Sequence, residues 1–337
     1  MLAGGLYERT SGAAGQPLAG YRRREPEHTV LHELVARYGQ TMLAEVRAAD
    51  PEGGGLPRHV ERELTEYLRC GVLAHGFARV RCTTCHEEIV VAFSCKRRGL
   101  CPSCTARRMA DTAAHLVDHV LPRAPYRQWV VTVPKALRLR LARDPGWTTW
   151  VGNLAVRAIG AWQRRIARQR GLRAPRTGAI TFVQRFGGLV NLNVHFHLLV
   201  PDGVFVDDDD RLAFAPHPVP TSADVLAILD RIVRRIARRL ADEACDDRVE
   251  DIDVLAQVQA EAAATWRSPH NGKPTVRGVE RLRAWCEGFS LHAGVVIADH
   301  DREALERLCR LCRRPHKRHY AELGIIETSS SLGPRER

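Results

Sequence analysis

The chain has 337 residues, 45% of them hydrophobic, which is enough for two or three domains with cores of their own. Its formal net charge is +12, and a basic excess of this size points to a polyanionic partner, usually nucleic acid. No apolar run approaches the roughly 18 residues that a membrane span needs, and the N-terminus does not read as a signal peptide. We therefore expect a cytoplasmic protein that is not associated with a membrane.

The N-terminal part of the chain predicts a flexible arm followed by helices. Residues 1–27 are small, polar and basic, which is typical of a disordered arm. Apolar residues recur at helical spacing over residues 28–49. Pro57 suits the first turn of a second helix that ends near Leu68.

A cysteine-rich module follows these helices. Six of the ten cysteines lie between Cys70 and Cys104, and clustered Cys-x-x-Cys pairs in a reducing compartment indicate a metal rather than disulfides. The pairs Cys82/Cys85 and Cys101/Cys104 are separated by 15 residues, which is the spacing of a zinc ribbon. The sequence predicts that these four thiolates hold a structural zinc ion with no open position for catalysis.

The same module contains further potential ligands and a group of basic residues. Cys95 could replace one of the four ligands, or Cys70, His75 and Cys95 could form a second site; the spacing leaves both alternatives open. The basic residues predict phosphate contacts with DNA, the alternative being a solvated basic surface: Lys96, Arg97, Arg98, Arg107 and Arg108.

From residue 105 onward, helical and strand patterns alternate. The patterns predict helices over 105–120, 148–170, 222–244 and 301–313, and strands over 128–133, 180–186, 192–200, 203–206, 211–214 and 288–297. The helix over 222–244 has one apolar side. Its other side is either an ordinary solvated face or a nucleic-acid contact, and it carries Arg231, Arg234, Arg235, Arg238 and Arg239.

One strand carries two histidines in an alternating pattern. Side chains two residues apart lie on the same face of a strand. One face is therefore apolar, with Leu192, Val194, Phe196, Leu198 and Val200, and the other carries Asn191, Asn193, His195 and His197. Two neighbouring imidazoles on one face can bind a single divalent ion, although a lone His-x-His also occurs in strands without a metal.

Taken together and in this order, the motifs resemble a known family. They are Cys82-x-x-Cys85, Ser94-Cys95-Lys96-Arg97-Arg98, Cys101-Pro102-Ser103-Cys104, Thr132-Val133-Pro134 and Asn193-Val194-His195-Phe196-His197. The chain, over roughly residues 28–309, resembles the HUH-type rolling-circle transposases, and in particular the insertion-sequence-common-region branch with an N-terminal zinc-binding domain.

The resemblance implies a mechanism. His195 and His197 would bind Mg²⁺ or Mn²⁺, with Gln184 as the candidate third ligand, and the ion would polarise the scissile phosphate of single-stranded DNA. A tyrosine would attack and form a 5′-phosphotyrosine. After His197 the sequence offers Tyr320 alone, which is either a displaced nucleophile or an incidental surface tyrosine. The resemblance to the family ends near Arg310. Truncation, frameshift or recombination would each produce such an end.

We therefore expect an α+β protein: N-terminal helices and a zinc ribbon, then an antiparallel-sheet HUH-type nuclease domain covered by helices. The expected boundaries are a disordered arm (1–27), a helical and zinc-binding segment (28–122), a catalytic domain (123–313) and an irregular tail (314–337). The expected partner is DNA, in the form of single-stranded or hairpin ends of a mobile element. Two alternatives remain: an inactive, zinc-dependent DNA-binding remnant, and a hydrolytic zinc enzyme using His195 and His197.

Overall fold

The computed structural model describes residues 24–50, 54–83, 86, 88–97, 99–187, 191–208, 211–246, 277–312 and 324–325. The chain divides into two compact units, residues 1–111 and 112–337. Helices are combined with antiparallel strands, which confirms the α+β class. None of the helices in these ranges is both long and apolar enough to cross a bilayer.

The first unit consists of helices and one hairpin. Its elements are α1 (Val30–Ala49), α2 (Arg58–Arg69), β1 (Phe77–Arg81), β2 (Glu88–Ala92) and the first turns of α3 (Pro102–His115). The Thr29 side chain caps α1 by accepting from the backbone N–H of His32. The two predicted helices are confirmed. Strand β1 was not predicted because its side chains are all exposed, which removes the apolar alternation that marks a strand.

The core of the first unit is small. Its fully buried residues are Tyr67, Cys70 and Cys101. Part of the apolar side of α1 reaches this core: Leu31 and Val35 pack against it. Four other apolar side chains of α1 are exposed: Val30, Leu34, Tyr38 and Met42. So little buried apolar area predicts that this unit needs a further source of folding free energy.

The second unit is built on a seven-stranded antiparallel sheet in the order β11-β4-β5-β3-β10-β9-β8. The strands are β3 (Tyr126–Thr132), β4 (Ile180–Phe186), β5 (Leu192–Pro201), β6 (Gly203–Asp208), β7 (Arg211–Pro216), β8 (Arg277–Glu280), β9 (Arg283–Cys286), β10 (Phe289–Ile297) and β11 (Gly324–Ile325). The helices are α4 (Lys135–Arg143), α5 (Pro145–Gln169), α6 (Ser222–Asp246) and α7 (Arg302–Cys312), and a π-helical turn (Leu116–Val120) continues α3. Strands β6 and β7 form a separate hairpin.

Strand β5 lies between β4 and β3, and its two faces have opposite character. One face packs under α5 and α6 in the main core, through Val194, Phe196, Leu198 and Val200. The other face carries His195 and His197 and continues into a second apolar cluster with the end of α3 and with α7. The predicted alternation along this strand is confirmed.

A buried ion pair fixes the ends of the central strands. Arg127 of β3 contacts the two carboxylate oxygens of Asp202 at 2.7 Å each. A third N–H of the guanidinium donates to the backbone carbonyl of Ala293 in β10 at 2.8 Å. The Arg127 side chain is 3% exposed and that of Asp202 15%. Because Asp202 directly follows β5, this pair holds the histidine strand in register with its neighbours.

Several elements differ from the sequence prediction. Helix α4 and the β8–β9 hairpin were not predicted, since four-residue strands are too short to show periodicity. The strand over 288–297 was predicted to be the last, and this is wrong, because Gly324 pairs with Thr181 of β4. Residues 1–23 of the predicted arm, the whole stretch between α6 and β8, and the tail apart from β11 lie outside the described residues.

Candidate functional site

Four cysteines of the first unit form a metal-binding geometry. The Sγ atoms of Cys70, Cys95, Cys101 and Cys104 all lie within 4.8 Å of one another. Three of the Sγ–Sγ distances are 3.5 Å: Cys70–Cys104, Cys95–Cys104 and Cys70–Cys101. Four sulfurs around a zinc ion at about 2.3 Å form a tetrahedron with edges of about 3.8 Å. The residues therefore fit a structural zinc ion.

Three separate elements bring these cysteines together. Cys70 directly follows α2, and Cys95 lies three residues after β2. Cys101 directly precedes α3, and Cys104 lies in its first turn. The backbone N–H of Cys95 donates to the Cys70 sulfur at 3.3 Å. The amino end of a helix favours negative charge, so α3 supports thiolates at Cys101 and Cys104.

Each of the four sulfurs affects the pKa values of its neighbours. The pKa of Cys101 is held far below its usual range by hydrogen bonds with the thiols of Cys104, Cys70 and Cys95. The pKa values of Cys70 and Cys95 are raised above theirs, mainly by contact with Cys101. Packed in this way, the four sulfurs do not ionise together; a divalent cation would allow all four to be thiolates.

The structure brings together two of the predicted cysteines and two that the spacing had left as alternatives. Cys101 and Cys104 were predicted, and Cys70 and Cys95 complete the set in place of the other Cys-x-x-Cys pair. The expectation that Cys82 joins this set is not met, because Cys82 is exposed and follows the end of β1 that is distant from Cys95. Cys85 lies outside the described residues. The spacing of the cysteines could not show which four lie together, because that depends on how the β1–β2 hairpin places Cys82 and Cys95 at opposite ends.

The basic residues around the cysteines differ in their contacts. Arg97 is ion-paired with Glu66, and this contact, with help from Arg62, lowers the pKa of Glu66 to about 2. Arg107 lies 3.9 Å from Asp111. Lys96 is exposed, and its carbonyl accepts from Arg108 at 3.1 Å, whereas Arg98 lies outside the described residues.

The two histidines of the second unit lie side by side on β5. Their ring centroids are 5.0 Å apart. His195 is buried, and its Nδ1–H donates to the backbone carbonyl of Asn193 at 2.6 Å. That bond fixes the tautomer of the ring, so that Nε2 is the nitrogen with the lone pair that a metal needs.

His197 is held from the neighbouring strand β3. Its Nδ1 lies 2.9 Å from the side-chain amide of Gln128, and the same amide lies 3.2 Å from the Cys312 sulfur. The two ends of a glutamine amide have nearly the same shape. As placed, the amide nitrogen Nε2 of Gln128 faces both atoms. A half-turn of the amide would put its oxygen at His197, so that Nδ1–H donates to it and the ring Nε2 is again the ligand atom.

Gln184 lies on the same face as the histidines. It is the residue of β4 directly opposite His195, and it is buried. Its Nε2 donates to the backbone carbonyl of Cys312 at 2.7 Å. The amide hydrogens are thus directed at α7, and the amide oxygen is the atom of Gln184 able to bind a cation.

Sequence reasoning missed two residues of this site, Gln128 and Cys312. Gln128 had a weak signal, as a polar residue in an apolar strand, whereas Cys312 had none. Cys312 is the last residue of α7 and is buried, and burial raises the pKa of its thiol to about 12. The thiol is therefore neutral at ordinary pH and serves as a contact for Gln128.

The tyrosine predicted as nucleophile, Tyr320, lies outside the described residues. Of the second unit's described residues, Tyr126 is the sole tyrosine. Its side chain is 1% exposed, its hydroxyl donates to the Pro122 carbonyl at 3.0 Å, and burial raises its pKa. Tyr126 therefore has no access to a phosphate.

Two family models match the chain. A family model described as a transposase zinc-binding domain matches residues 37–133, and one described as a putative transposase matches residues 178–318. The first match contains the four clustered cysteines; the second contains Gln184, His195 and His197. The chain belongs to the IS91-type transposases with an N-terminal zinc-binding domain. Searches of curated proteins and of solved structures gave no match.

Proposed function

We propose that this transposase cleaves and transfers single-stranded DNA with a divalent cation, Mg²⁺ or Mn²⁺, held by His195, His197 and Gln184. The observation that carries the proposal is the pairing of Gln184 with His195, which puts an amide beside two imidazoles whose centroids are 5.0 Å apart. A bound cation would offset the negative charge that develops on the phosphate oxygens during cleavage.

The protein's own residues prepare this site. The carbonyl of Asn193 and the amide of Gln128 orient the two rings through their Nδ1 atoms. Ligands that are held by other hydrogen bonds lose little freedom when they bind a metal. The donation from Gln184 to Cys312 also ties the end of α7 to the histidine face.

Tyr320 is the nucleophile that the chain can bring to this face. It lies eight residues after Cys312, which contacts Gln184, and four residues before Gly324, which pairs with Thr181 on the same strand. Eight extended residues span at most about 29 Å, so the chain length allows the hydroxyl to reach the histidines. The tyrosine oxygen would bond to phosphorus as the 3′-oxygen leaves, and the tyrosine proton would go to solvent.

In the first unit, Cys70, Cys95, Cys101 and Cys104 would hold a structural zinc ion. The ion would contribute folding free energy that the small core of this unit does not provide. Four thiolates leave no position for a substrate, so this zinc would organise the unit and take no part in cleavage.

The test is covalent capture of DNA. Single strands from both sides of the gene are labelled at the 3′ end, because a 5′-phosphotyrosine keeps that fragment on the protein, and are incubated with the chain and Mn²⁺. We expect a labelled band in a denaturing gel, absent in Tyr320→Phe and in His195→Ala. Tyr38→Phe and His300→Ala, which alter an exposed tyrosine and an exposed histidine, are the matched controls.

A second candidate function is zinc-dependent DNA binding without cleavage. It is favoured by the burial of Tyr126, which leaves Tyr320 as the single candidate nucleophile in the second unit. If the wild-type chain retards these strands in a native gel but never forms the labelled band, this second function replaces the first.

A zinc hydrolase is disfavoured. A catalytic zinc takes three protein ligands from His, Cys, Asp and Glu. Within the described part of the chain, the four cysteines are the sole cluster of three or more such residues, so the histidine pair has no third ligand of this kind.

A further inference from the structure

Helices α5 and α6 carry an unusual number of exposed arginines on their outer side. In α6, four of them are spaced i, i+3, i+4 and i+7, which puts them on one side of the helix. In α5, two are eleven residues apart, or about three turns, and also share a side. We call this set the arginine ridge: Arg157, Arg168, Arg231, Arg234, Arg235 and Arg238.

The two helices run antiparallel, so the middle of α5, with Arg157, lies beside the middle of α6, with Arg231 and Arg234. Arg239, late in α6, stacks on Trp147 and Trp150, early in α5. Arg165, late in α5, lies 3.3 Å from Asp224, early in α6. The second half of α5 therefore lies beside the first half of α6.

Positive charges converge where the two helices meet. Burial lowers the pKa of Arg164, and the charges of Arg168 and Arg231 lower it further. Three guanidinium groups from two helices thus share one region. Like charges this close repel, and their repulsion is relieved when an anion binds between them.

The ridge keeps an excess of positive charge. Of the acids in α6, Asp230 and Asp242 lie one turn from Arg234 and Arg238, which leaves two acids against six arginines. Helix α5 contains no Asp or Glu over its whole length. None of the six ridge arginines forms an ion pair with an acidic residue in the part of the chain that the structure describes. The pairs that do form lie at the ends of the helices, at Asp224 and Glu243.

The ridge and the histidine pair are on opposite sides of the sheet. Phe196 packs into the core beneath α5 and α6, whereas His195 and His197 point to the other face of β5. A phosphate at the histidines therefore cannot contact the ridge. A polyanion on the ridge would be a separate stretch of nucleic acid.

We propose that the arginine ridge is a second nucleic-acid surface, which binds duplex DNA through its phosphates and does not read its sequence. Single-strand sites stack bases on exposed aromatic side chains. Neither α5 nor α6 exposes an aromatic side chain, since Trp147 and Trp162 are buried and Trp150 is partly buried. Two rows of arginines, on helix axes about 8–10 Å apart, suit the two phosphate strands of a duplex.

The experiment compares two triple variants of the zinc-loaded full chain. The ridge variant is Arg168→Ala, Arg231→Ala and Arg235→Ala. The control is Arg283→Ala, Arg307→Ala and Arg310→Ala, which removes the same charge from exposed positions elsewhere in the second unit. Binding to a short fluorescent duplex of arbitrary sequence is measured by anisotropy between about 50 and 200 mM salt.

We expect the ridge variant alone to bind the duplex more weakly. The slope of log affinity against log salt should become less negative by about 0.9 for each lost phosphate contact, and so by up to about 2.7. The corresponding Lys triple keeps the charge and should bind like the wild type. Equal losses in the ridge and control variants would overturn the proposal, because they would reflect net charge alone.

Two further measurements keep the result interpretable. Arg235→Glu, a single exposed change, should weaken duplex binding even if the triple variant folds poorly, and unchanged binding by this variant would also overturn the proposal. Covalent capture of the single-stranded probe should be unaffected in the ridge variant. The wild type could fail to capture DNA covalently while the ridge variant still binds duplex DNA more weakly than the control. That result would reject the proposed cleavage and support the proposed duplex-binding surface.

Discussion

Gln184 lies directly opposite His195 in the antiparallel pairing of β4 with β5. Because paired residues of antiparallel strands point to the same side of a sheet, the amide and the imidazole share one face. The same amide donates to the last residue of α7, so a helix end is tied to the histidine pair. The candidate cation site thus depends on two consecutive strands and on a helix end that is 128 residues from Gln184 in sequence.

Gln184→Ala is expected to weaken Mn²⁺ binding to the zinc-loaded chain by about 10-fold or more, because it removes the proposed ligand oxygen. The affinity can be measured by titration with detection of free Mn²⁺ by electron paramagnetic resonance. Gln169→Ala, at the exposed end of α5, is the matched control. If the Gln184→Ala and Gln169→Ala variants bind Mn²⁺ with equal affinity, Gln184 is not a ligand and its role is its hydrogen bond with Cys312.

Gln128→Leu should weaken Mn²⁺ binding about 10- to 100-fold, since it removes the partner that orients His197. Gln128→Glu should recover much of this loss, because a carboxylate oxygen accepts from Nδ1–H. Melting temperatures of both variants establish that they are folded. If Gln128→Glu binds Mn²⁺ as weakly as Gln128→Leu does, the side chain at position 128 does not orient the His197 ring.

Cys70→Ser should release the zinc ion, lower the melting temperature of the first unit and leave that unit sensitive to proteolysis, because a structural zinc contributes folding free energy. Zinc content is measured with a colorimetric chelator after the chain is desalted. Cys82→Ser is the matched control, and it should keep its zinc because Cys82 is exposed and outside the sulfur cluster. Loss of zinc from the Cys82 variant, with retention in the Cys70 variant, would restore the ligand set expected from spacing.

Asp202→Ala should lower the free energy of unfolding of the second unit by about 3–5 kcal/mol, because it leaves the buried charge of Arg127 without its partner. Urea unfolding followed by tryptophan fluorescence measures the change. Asp299→Ala, at a side chain that is 65% exposed, should change stability little. A loss below about 1 kcal/mol for Asp202→Ala would mean that water compensates Arg127.

Much of the second unit could be predicted because its signals are local. The alternation around His195 and His197 predicted the two faces of β5, and the apolar spacing of α5 and α6 predicted their buried sides. Helix α4 and the β8–β9 hairpin could not be predicted, since short elements are stabilised by their neighbours more than by their own pattern. The position of Gln128 beside His197 depends on strand order, which is a long-range property.

The sequence by itself determined the α+β class, the histidine pair and the presence of a cysteine centre, because each follows from the period of a strand or the clustering of one residue type. It also determined the transposase family, through the order of those motifs. Only the tertiary structure decided that Cys70 and Cys95 complete the sulfur cluster, that Gln184 and Cys312 meet beside His195, and that the arginines of α5 and α6 converge. These depend on how elements pack across long separations in sequence, and no local pattern records that packing.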